Sequence, residues 1–323
     1  MPFASWLKRN AYACLGLGAA ACEWLALPIF AAWGVGQIER ERTVATSLCF
    51  YLPSLVVAGV LAAASLRARA RRRLAGAAGW FVLALLPAIV VVAVENQWTG
   101  TARAHGVSMA TATRRVVHWN VWSGFAGSWL VRRGLEHERA DLLVVSELPP
   151  ERSLDLVVPR VAGDWSAARR WQLAVVARGA LEPGALERNG AARVWPVTWW
   201  ASEGERIEVL VVDVPSDPSQ LRSPILRWVR RRITALAPDL VVGDFNTPRR
   251  ARGLEALPPG YAHAYERAGS GWSATFPVPV PLWAIDQTIF GERVEPIAYV
   301  LRTPLGSDHR LQRFDFALHA CSP

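Results

Sequence analysis

Three long apolar segments lie in the first 95 residues, and they constrain the fold more than any other feature of the sequence. They are Ala11–Gly36, Thr46–Leu66 and Ala77–Val94, and each is long enough to cross a bilayer as a helix. A cleaved signal peptide would account for one of them, and buried helices of a soluble bundle would carry polar faces that these segments lack. We therefore expect three transmembrane helices.

The loops between these segments predict their orientation. The loop RARARRR, Arg67–Arg73, has five arginines in seven residues. Beside two apolar spans this favours a cytoplasmic loop over a nucleic-acid patch. The loop QIERERT, Gln37–Thr43, carries two arginines and two glutamates and fits the outer side. We expect a multi-pass protein of the cell (inner) membrane whose remaining chain is extracytoplasmic.

The net charge of +9 mostly belongs to this first region. Residues 1–103 hold ten of the 36 Lys and Arg and four of the 27 Asp and Glu, which leaves 26 basic and 23 acidic side chains beyond them. That near-neutral balance disfavours a nucleic-acid-binding module. The four cysteines indicate neither a disulfide framework nor a cysteine-rich metal site.

Composition predicts two domains, a membrane anchor with a linker over 1–103 and a globular domain over 104–323. The second domain contains short apolar runs, each followed by a turn or a helix. Strands are expected at 115–122, 141–148, 171–177, 192–200, 207–214, 239–245, 284–290, 294–301 and 311–318, and helices near Trp129–Arg139 and Ile225–Leu236. Because strands outnumber helices, we predict an α/β fold, a two-sheet sandwich flanked by helices.

Polar side chains follow several of these strands. In VVGDFNTPRR, residues 241–250, Asp244 and Asn246 follow an apolar run, and period-two geometry puts both on one side of an extended chain. Burying them is costly unless a metal ion, a phosphate or a local turn pairs with them. Other strand ends carry similar groups, namely Asn120, Glu147, Asp286 and the adjacent Asp308 and His309.

Taken singly, each of these residues is more often a turn residue or a helix cap than a ligand. Together they form a set of hard oxygen donors with one imidazole. Carboxylate and amide oxygens suit Mg²⁺, Mn²⁺ or Ca²⁺, and the lack of Cys and His clusters argues against zinc.

The order of motifs WN…SE…GDFN…ID…SDH, over about residues 114–320, resembles the endonuclease/exonuclease/phosphatase superfamily. That superfamily includes pancreatic-type deoxyribonucleases and bacterial sphingomyelinases. The segment GWSATFPVPVPLWAID, residues 271–286, is similar to the family's approach to its ID motif. The resemblance implies a deoxyribonuclease-like sandwich and an enzyme, a Mg²⁺-dependent phosphodiesterase or nuclease-type hydrolase, and it does not extend to the apolar segments.

The resemblance also implies a metal and a substrate. Glu147 would ligate Mg²⁺ or Mn²⁺, with Asn120 and Asp308 in or next to the metal's shell. The partner would be a phosphodiester, either nucleic acid or a phospholipid head group. The chain would be embedded in the membrane through its N-terminal helices, and no obligate protein partner is expected.

The remaining site residues take their implied roles from the same match. Asp244 would orient or deprotonate the attacking water, and Asn246 would hold a phosphate oxygen. His309 would contact the scissile phosphate, oriented by Asp286. Cationic groups are needed there because charge develops on the non-bridging oxygens, and an Asp–His pair favours the charged imidazole.

Two residues depart from the family pattern. Asp213 stands where most members have a histidine, and Gln287 follows the ID motif where histidine is common. Asp213 could protonate the leaving oxygen only with a raised pKa, or it could be a turn residue before Pro215. The alternative to an enzyme is therefore a non-catalytic family member that keeps the pocket to bind a phosphate ligand.

Overall fold

The computed structural model describes residues 24–98, 113–124, 127–149, 154–158, 164–201 and 204–319. The chain divides into two compact units, the first ending at Asn96 and the second beginning at Gln97. The predicted domain boundary between residues 103 and 104 falls outside the described residues and stays a prediction.

The first unit is helical. Residues 24–39 form helix α1, and a 3-10 turn at Arg40–Arg42 leads into three further helices. These are α2 Val44–Phe50, α3 Ser54–Ala70 and α4 Leu74–Val90, the last of which continues as a π-turn at Val91–Glu95.

The structure supports the predicted membrane spans only in part. Among the described residues, Leu74–Glu95 is the single helix long and apolar enough to cross a bilayer. The predicted span Thr46–Leu66 is broken instead, because α2 and α3 are bent by 68°. Pro53 is the N-cap of α3, and a proline disfavours helical conformation in the residue before it. Counting this bent pair as one span gives two, and the start of Ala11–Gly36 lies outside the described residues.

The second unit is an α/β structure. Its helices are α5 Ser128–His137, α6 Arg222–Leu236, α7 Arg252–Glu255 and α8 Ala264–Ala268, with 3-10 turns at Trp122–Gly124 and Leu154–Leu156. Its strands follow β1 at the unit boundary, Asn96–Gln97, and are β2 Arg114–Asn120, β3 Leu142–Ser146, β4 Trp165–Arg170, β5 Leu173–Arg178, β6 Ala180–Pro183, β7 Glu187–Asn189, β8 Ala192–Trp200, β9 Arg206–Asp213, β10 Leu240–Asp244, β11 Ala262–His263, β12 Gly271–Trp272, β13 Asp286–Phe290, β14 Val294–Arg302 and β15 Leu311–Leu318.

Two mixed sheets form the body of this unit, as the sequence predicted. One has the order β14-β15-β2-β3-β5-β4, and the other has the order β11-β13-β10-β9-β8-β6 with β7 paired to β8. The pairs β2–β3 and β9–β10 are parallel, whereas the other pairs in these sheets are antiparallel.

Alternating side chains of both sheets fill the space between them. Val116 and Val144 of one sheet pack in the same buried cluster as Val211 and Val242 of the other. Because successive side chains of a strand point to opposite faces, the residues two and four positions further along these strands continue the same inner face. This alternation decides which polar residues point between the sheets.

Each of the nine predicted strand runs contains a strand, and α5 and α6 lie where helices were expected. Sequence reasoning missed β4, the short strands β6 and β7, and the two-residue strands β1, β11 and β12. β4 and β6 are the last strands in the order of their sheets. The side chains of β4 are half-buried except for the exposed Ala167 and Arg170, so they give no clear apolar alternation.

Candidate active site

The predicted polar residues meet at one end of the sandwich. Asp213 and Asp244 are the last residues of the parallel strands β9 and β10 and are Cα partners. Asp286 is the first residue of the antiparallel strand β13 and is the Cα partner of Asp244. Asn120 is the last residue of β2 in the facing sheet. Because of these strand directions, the four residues lie together at the same end of both sheets.

Asn120 links the two sheets within the site. Its Nδ2 donates hydrogen bonds to Glu147 Oε1 and to Asp244 Oδ2, each at 2.9 Å, and its Oδ1 accepts one from the Trp122 amide at 3.0 Å. Asn120 is completely buried. Glu147 adopts a left-handed conformation with φ of 55°, which turns the chain directly after β3 and brings its carboxylate towards Asn120.

Asp244 is buried, and its two oxygens have different partners, Asn120 for Oδ2 and the turn after β10 for Oδ1. Asn246 donates its backbone N–H to Asp244 Oδ1 at 2.7 Å, and the Asn246 side chain donates to the Val214 carbonyl at 2.8 Å. Burial raises the pKa of Asp244 well above its ordinary value, and the nearby charge of Asp286 raises it further. A carboxylate with a raised pKa is a suitable general base.

Asp286 and His309 form a buried ion pair. Asp286 Oδ2 lies 2.8 Å from His309 Nδ1, so Nδ1 carries the proton and Nε2 is the ring atom directed away from Asp286. Burial by itself lowers the pKa of His309, but Asp286, together with Asp244 and Asp308, raises it to about 10. Burial likewise works against the charged form of Asp286, yet His309 keeps its pKa below the ordinary value. The imidazole is therefore charged at neutral pH.

Ser307 ties the SDH turn to the first sheet. Its Oγ donates to the Asn120 carbonyl at 2.6 Å and accepts the His309 backbone N–H at 2.9 Å. Asp308 lies beside it, with Oδ1 3.5 Å from the same Oγ. Burial raises the pKa of Asp308, and His309 opposes this rise. Sequence reasoning named the Asp and the His of this motif but missed the role of the Ser.

A polar layer that sequence reasoning also missed separates the site from the apolar core. Gln312 Oε1 accepts hydrogen bonds from Thr288 and Tyr299, at 3.1 and 2.6 Å. Its Nε2 therefore donates to His118 Nδ1 at 2.8 Å, and His118 Nε2 donates to Ser146 Oγ at 3.0 Å. Burial lowers the pKa of His118 to about 4, so this imidazole is neutral.

The two departures from the family pattern have different surroundings. Asp213 Oδ2 lies 3.0 Å from Arg193 Nη1 in an ion pair. Burial raises the pKa of Asp213 above its ordinary value, Arg193 opposes this rise, and Glu147 adds to it. Gln287 lies on the other face of β13 from Asp286, and its side chain donates to the Ala284 carbonyl at 2.7 Å. Arg193 was not predicted, because nothing near it in the sequence marks it.

The donor set suits a divalent cation. Ligand atoms of Asp244, Asp286 and His309 lie within 4.8 Å of one another, close enough to hold a metal ion when the His309 imidazole is neutral. This set differs from the predicted ligands Glu147, Asn120 and Asp308. Five carboxylates meet here, and their charged partners among the described residues are His309 and Arg193. His118 Nδ1 also lies 3.8 Å from Asp286 Oδ1, but this imidazole is neutral. The carboxylates are Glu147, Asp213, Asp244, Asp286 and Asp308. Asp244 and Asp286 are buried and the other three are half-buried, and a bound cation stabilises such an excess of carboxylates.

A two-sheet sandwich with a buried Asp–His pair among carboxylates that suit a metal ion is consistent with the class of metal-dependent phosphoesterases. The sequence comparison agrees with this class and identifies the family within it. A family model described as the Endonuclease/Exonuclease/phosphatase family matches residues 117–309, more than half of the chain, and the protein belongs to this family.

Solved structures share the fold at low sequence identity. An endonuclease/exonuclease/phosphatase family protein from Bacteroides thetaiotaomicron has a TM-score of 0.52 and 11% identity, over 65% of this chain and 99% of that one. A functionally unknown conserved protein from Enterococcus faecalis V583 gives 0.51 and 14%, over 64% and 100%. A mannosyl-6-phosphatase from Bacteroides thetaiotaomicron VPI-5482 gives 0.50 and 11%, over 63% and 99%. No curated protein matches the chain.

Proposed function

We propose that this protein is a Mg²⁺-dependent phosphodiesterase that hydrolyses a phosphodiester of a nucleic acid or of a phospholipid head group. One observation carries the proposal. Three groups meet at the same end of the two sheets. They are the charged imidazole of His309, the buried carboxylate of Asp244 with its raised pKa, and Glu147, which is hydrogen-bonded to the Asn120 amide. These groups match the needs of in-line attack by water on a phosphorus atom, namely a base for the water and positive charge for the phosphoryl oxygens.

Glu147 is the proposed main ligand of the metal, with Asn120 and Asp308 in or next to its shell. Glu147 Oε1 accepts the hydrogen bond from Asn120. This bond orients the carboxylate, as hydrogen-bond partners behind a metal ligand generally do. Bound Mg²⁺ or Mn²⁺ would supply Lewis-acid stabilisation of phosphoryl charge. The donor set consists of oxygens, which these two ions prefer.

Asp244 is proposed to orient or deprotonate the attacking water, and Asn246 is proposed to hold a phosphate oxygen. The Asn246 backbone bond to Asp244 Oδ1 fixes one lone pair of the carboxylate. His309 is proposed to contact the scissile phosphate through Nε2, because its Nδ1 is held by Asp286. The ion pair fixes the orientation of the ring and keeps its charge for the phosphoryl oxygens.

The test compares two variants of the full chain on a panel of phosphodiesters with and without Mg²⁺. Glu147→Gln should weaken Mg²⁺ binding, measured by calorimetry, and turnover together. Asp244→Asn should leave Mg²⁺ binding largely intact and lower turnover by a factor on the order of 10² or more. Asp239→Asn is the matched control, since Asp239 is a buried carboxylate beside the opposite end of β10. Unchanged turnover in both site variants would remove the assigned site.

A second candidate function is phosphate-ligand binding without catalysis. The observation that favours it is Asp213, whose carboxylate is paired with Arg193 rather than available as a simple proton donor. The two candidates differ in one measurement. A chain that binds inorganic phosphate in the presence of Mg²⁺ but turns over no diester of the panel supports the binding function.

We also propose that the first unit anchors the protein in the cell membrane and that the second unit is extracytoplasmic. The support is the apolar helix Leu74–Glu95, on which Phe81, Val82, Leu86 and Ile89 are each more than half exposed, as lipid-facing side chains are. The five-arginine loop before it predicts the orientation. A reporter fused after Pro323 should be active only if it is one that works outside the cytoplasm, and activity of a cytoplasmic reporter would reverse this orientation.

A further inference from the structure

Four charged side chains form a row across the inner face of the seven-stranded sheet. The strand registers pair Arg193 with Asp213, Asp213 with Asp244, and Asp244 with Asp286. Neighbouring strands lie about 4.8 Å apart, so the backbone of Arg193 is roughly 10 Å from that of Asp244. Arg193 reaches back over β9 to Asp213, because its Nη1 lies 3.0 Å from the carboxylate. Its guanidinium therefore lies near β9, about one interstrand spacing from β10, which carries the proposed base Asp244.

The guanidinium of Arg193 is held in position from two sides. Its Nη1 donates to the Ala191 carbonyl at 2.9 Å as well as to Asp213. The indole ring of Trp171 covers it, with 4.8 Å between the ring centroid and Cζ. Only 17% of the Arg193 side chain is exposed. A charged fork held in this way is pre-organised, so binding an anion costs it little side-chain entropy.

Most of the hydrogen-bonding capacity of this guanidinium is unused. Both protons of Nη1 are donated, whereas Nε is buried and has no hydrogen-bond partner among the described residues. A buried N–H without an acceptor destabilises the protein, because it has lost its hydrogen bonds to water. An oxyanion beside Asp213 would supply the missing acceptor and would pair with a cation that stays charged at every working pH.

We propose that Arg193 is a further phosphate-binding residue of this site and that Asp213 is its positioning residue. The ligand is the phosphoryl group bound next to Asp244, so the inference rests on the proposed function. It also assigns Asp213 a role other than proton donation. A carboxylate that holds Arg193 acts through its negative charge and does not give up a proton to the leaving oxygen.

The main test uses Arg193→Gln and Arg193→Lys in the full chain. Two quantities are measured with Mg²⁺ present, kcat/KM on a nitrophenyl phosphodiester and the Kd of inorganic phosphate. Arg193→Gln should lower kcat/KM about 10–100-fold and weaken phosphate binding about 10-fold or more, the range for a hydrogen bond to a charged group. Arg193→Lys should recover part of both, since it keeps the charge but loses the fork.

Arg178→Gln is the matched control. Arg178 also lies over a tryptophan, Trp165, and near a carboxylate, Asp141. It is the last residue of β5, at the end where β3 begins, whereas Glu147 follows the other end of β3. This variant should stay within about twofold of the native chain in both measurements. Arg193→Gln with the same values as Arg178→Gln would overturn the proposal.

Asp213→Asn separates positioning from proton donation, with a nitrophenyl diester and an alkyl diester as good and poor leaving groups. A positioning residue predicts an equal loss on both esters and an unchanged pH profile. A loss confined to the alkyl ester, with disappearance of the alkaline limb, would overturn the assigned role of Asp213. If the native chain hydrolyses neither ester, the proposed function fails, but the Kd of phosphate for Arg193→Gln still decides whether Arg193 binds the anion.

Discussion

Replacing Asp286 with asparagine tests whether the Asp286–His309 pair keeps His309 charged during turnover. Asparagine has nearly the same size and can still accept the 2.8 Å hydrogen bond from Nδ1, but it carries no charge. The native pKa of His309 is about 10, because Asp286, Asp244 and Asp308 together outweigh the opposing effect of burial. Without the charge of Asp286 the pKa should fall to the ordinary value or below it, since the ring remains buried.

The size of the effect follows from these pKa values. At pH 8 an imidazole with a pKa of about 10 is about 99% charged, whereas one with a pKa of about 6.5 is only about 3% charged. We therefore expect kcat/KM of Asp286→Asn to fall by at least ~30-fold at pH 8. Asp286 also raises the pKa of Asp244, so the acid limb of the variant should move to lower pH and much of the activity should return below about pH 6.

The assay is kcat/KM on a nitrophenyl phosphodiester with Mg²⁺, measured from about pH 5 to 10.5. Asp239→Asn serves as the control, because Asp239 is also buried and accepts the Glu208 amide and an Arg293 bond, but lies beside the other end of β10. Asp239→Asn should change the stability of the protein without shifting the acid or the alkaline limb of the pH–activity profile. A loss in Asp286→Asn that is equal at pH 6 and pH 9 would refute the reasoning.

Three further predictions concern stability. The raised pKa of His309 means that its contribution to folding is fully present below about pH 6.5 and is lost as pH rises through about 10; thermal melts of the metal-free native chain should therefore decline over this range more than those of His309→Gln. Mg²⁺ at about 100 times its Kd should raise the Tm of the second unit by about 5–10 °C, and Glu147→Gln should abolish the rise; an equal rise in both chains would exclude Glu147 as the main ligand. Asn120→Asp exchanges the donor that bridges Glu147 and Asp244 for a third carboxylate, so denaturant melts without metal should give a stability loss of about 2–4 kcal/mol that Mg²⁺ partly restores; a loss that Mg²⁺ leaves unchanged would contradict this account.

The sequence predicts most of the strands and the position of the site, for a local physical reason. Asp244 and Asn120 end apolar runs whose alternation can be read without knowing their neighbours. The break within Thr46–Leu66 could have been predicted in the same way, because Pro53 lies in the middle of the segment and marks a helix boundary.

Residues whose role depends on strand pairing could not be predicted from the sequence. Arg193 is a site residue only because β8 pairs with β9 in a register that brings it opposite Asp213. His118 lies two residues before Asn120 and points to the same face of β2. Its hydrogen-bond acceptor is Ser146 Oγ, and its hydrogen-bond donor is Gln312 Nε2. Neither partner is near it in the chain, and no local pattern specifies them.

Activity depends on strand register, because the site residues and the core residues lie on the same inner face of the strands. A slip of β10 by one residue would turn Asp244 to the outer face and carry Gly243 or Phe245 into its position. Val241 and Val242 are both buried, so the slip would only exchange one valine for the other in the core. The same alternation that buries Val242 aims Asp244 at Asn120. A misregistered chain would therefore keep an apolar core at β10 but lose the Asp244–Asn120 contact, so activity should be a more sensitive measure of correct refolding than the burial of β10.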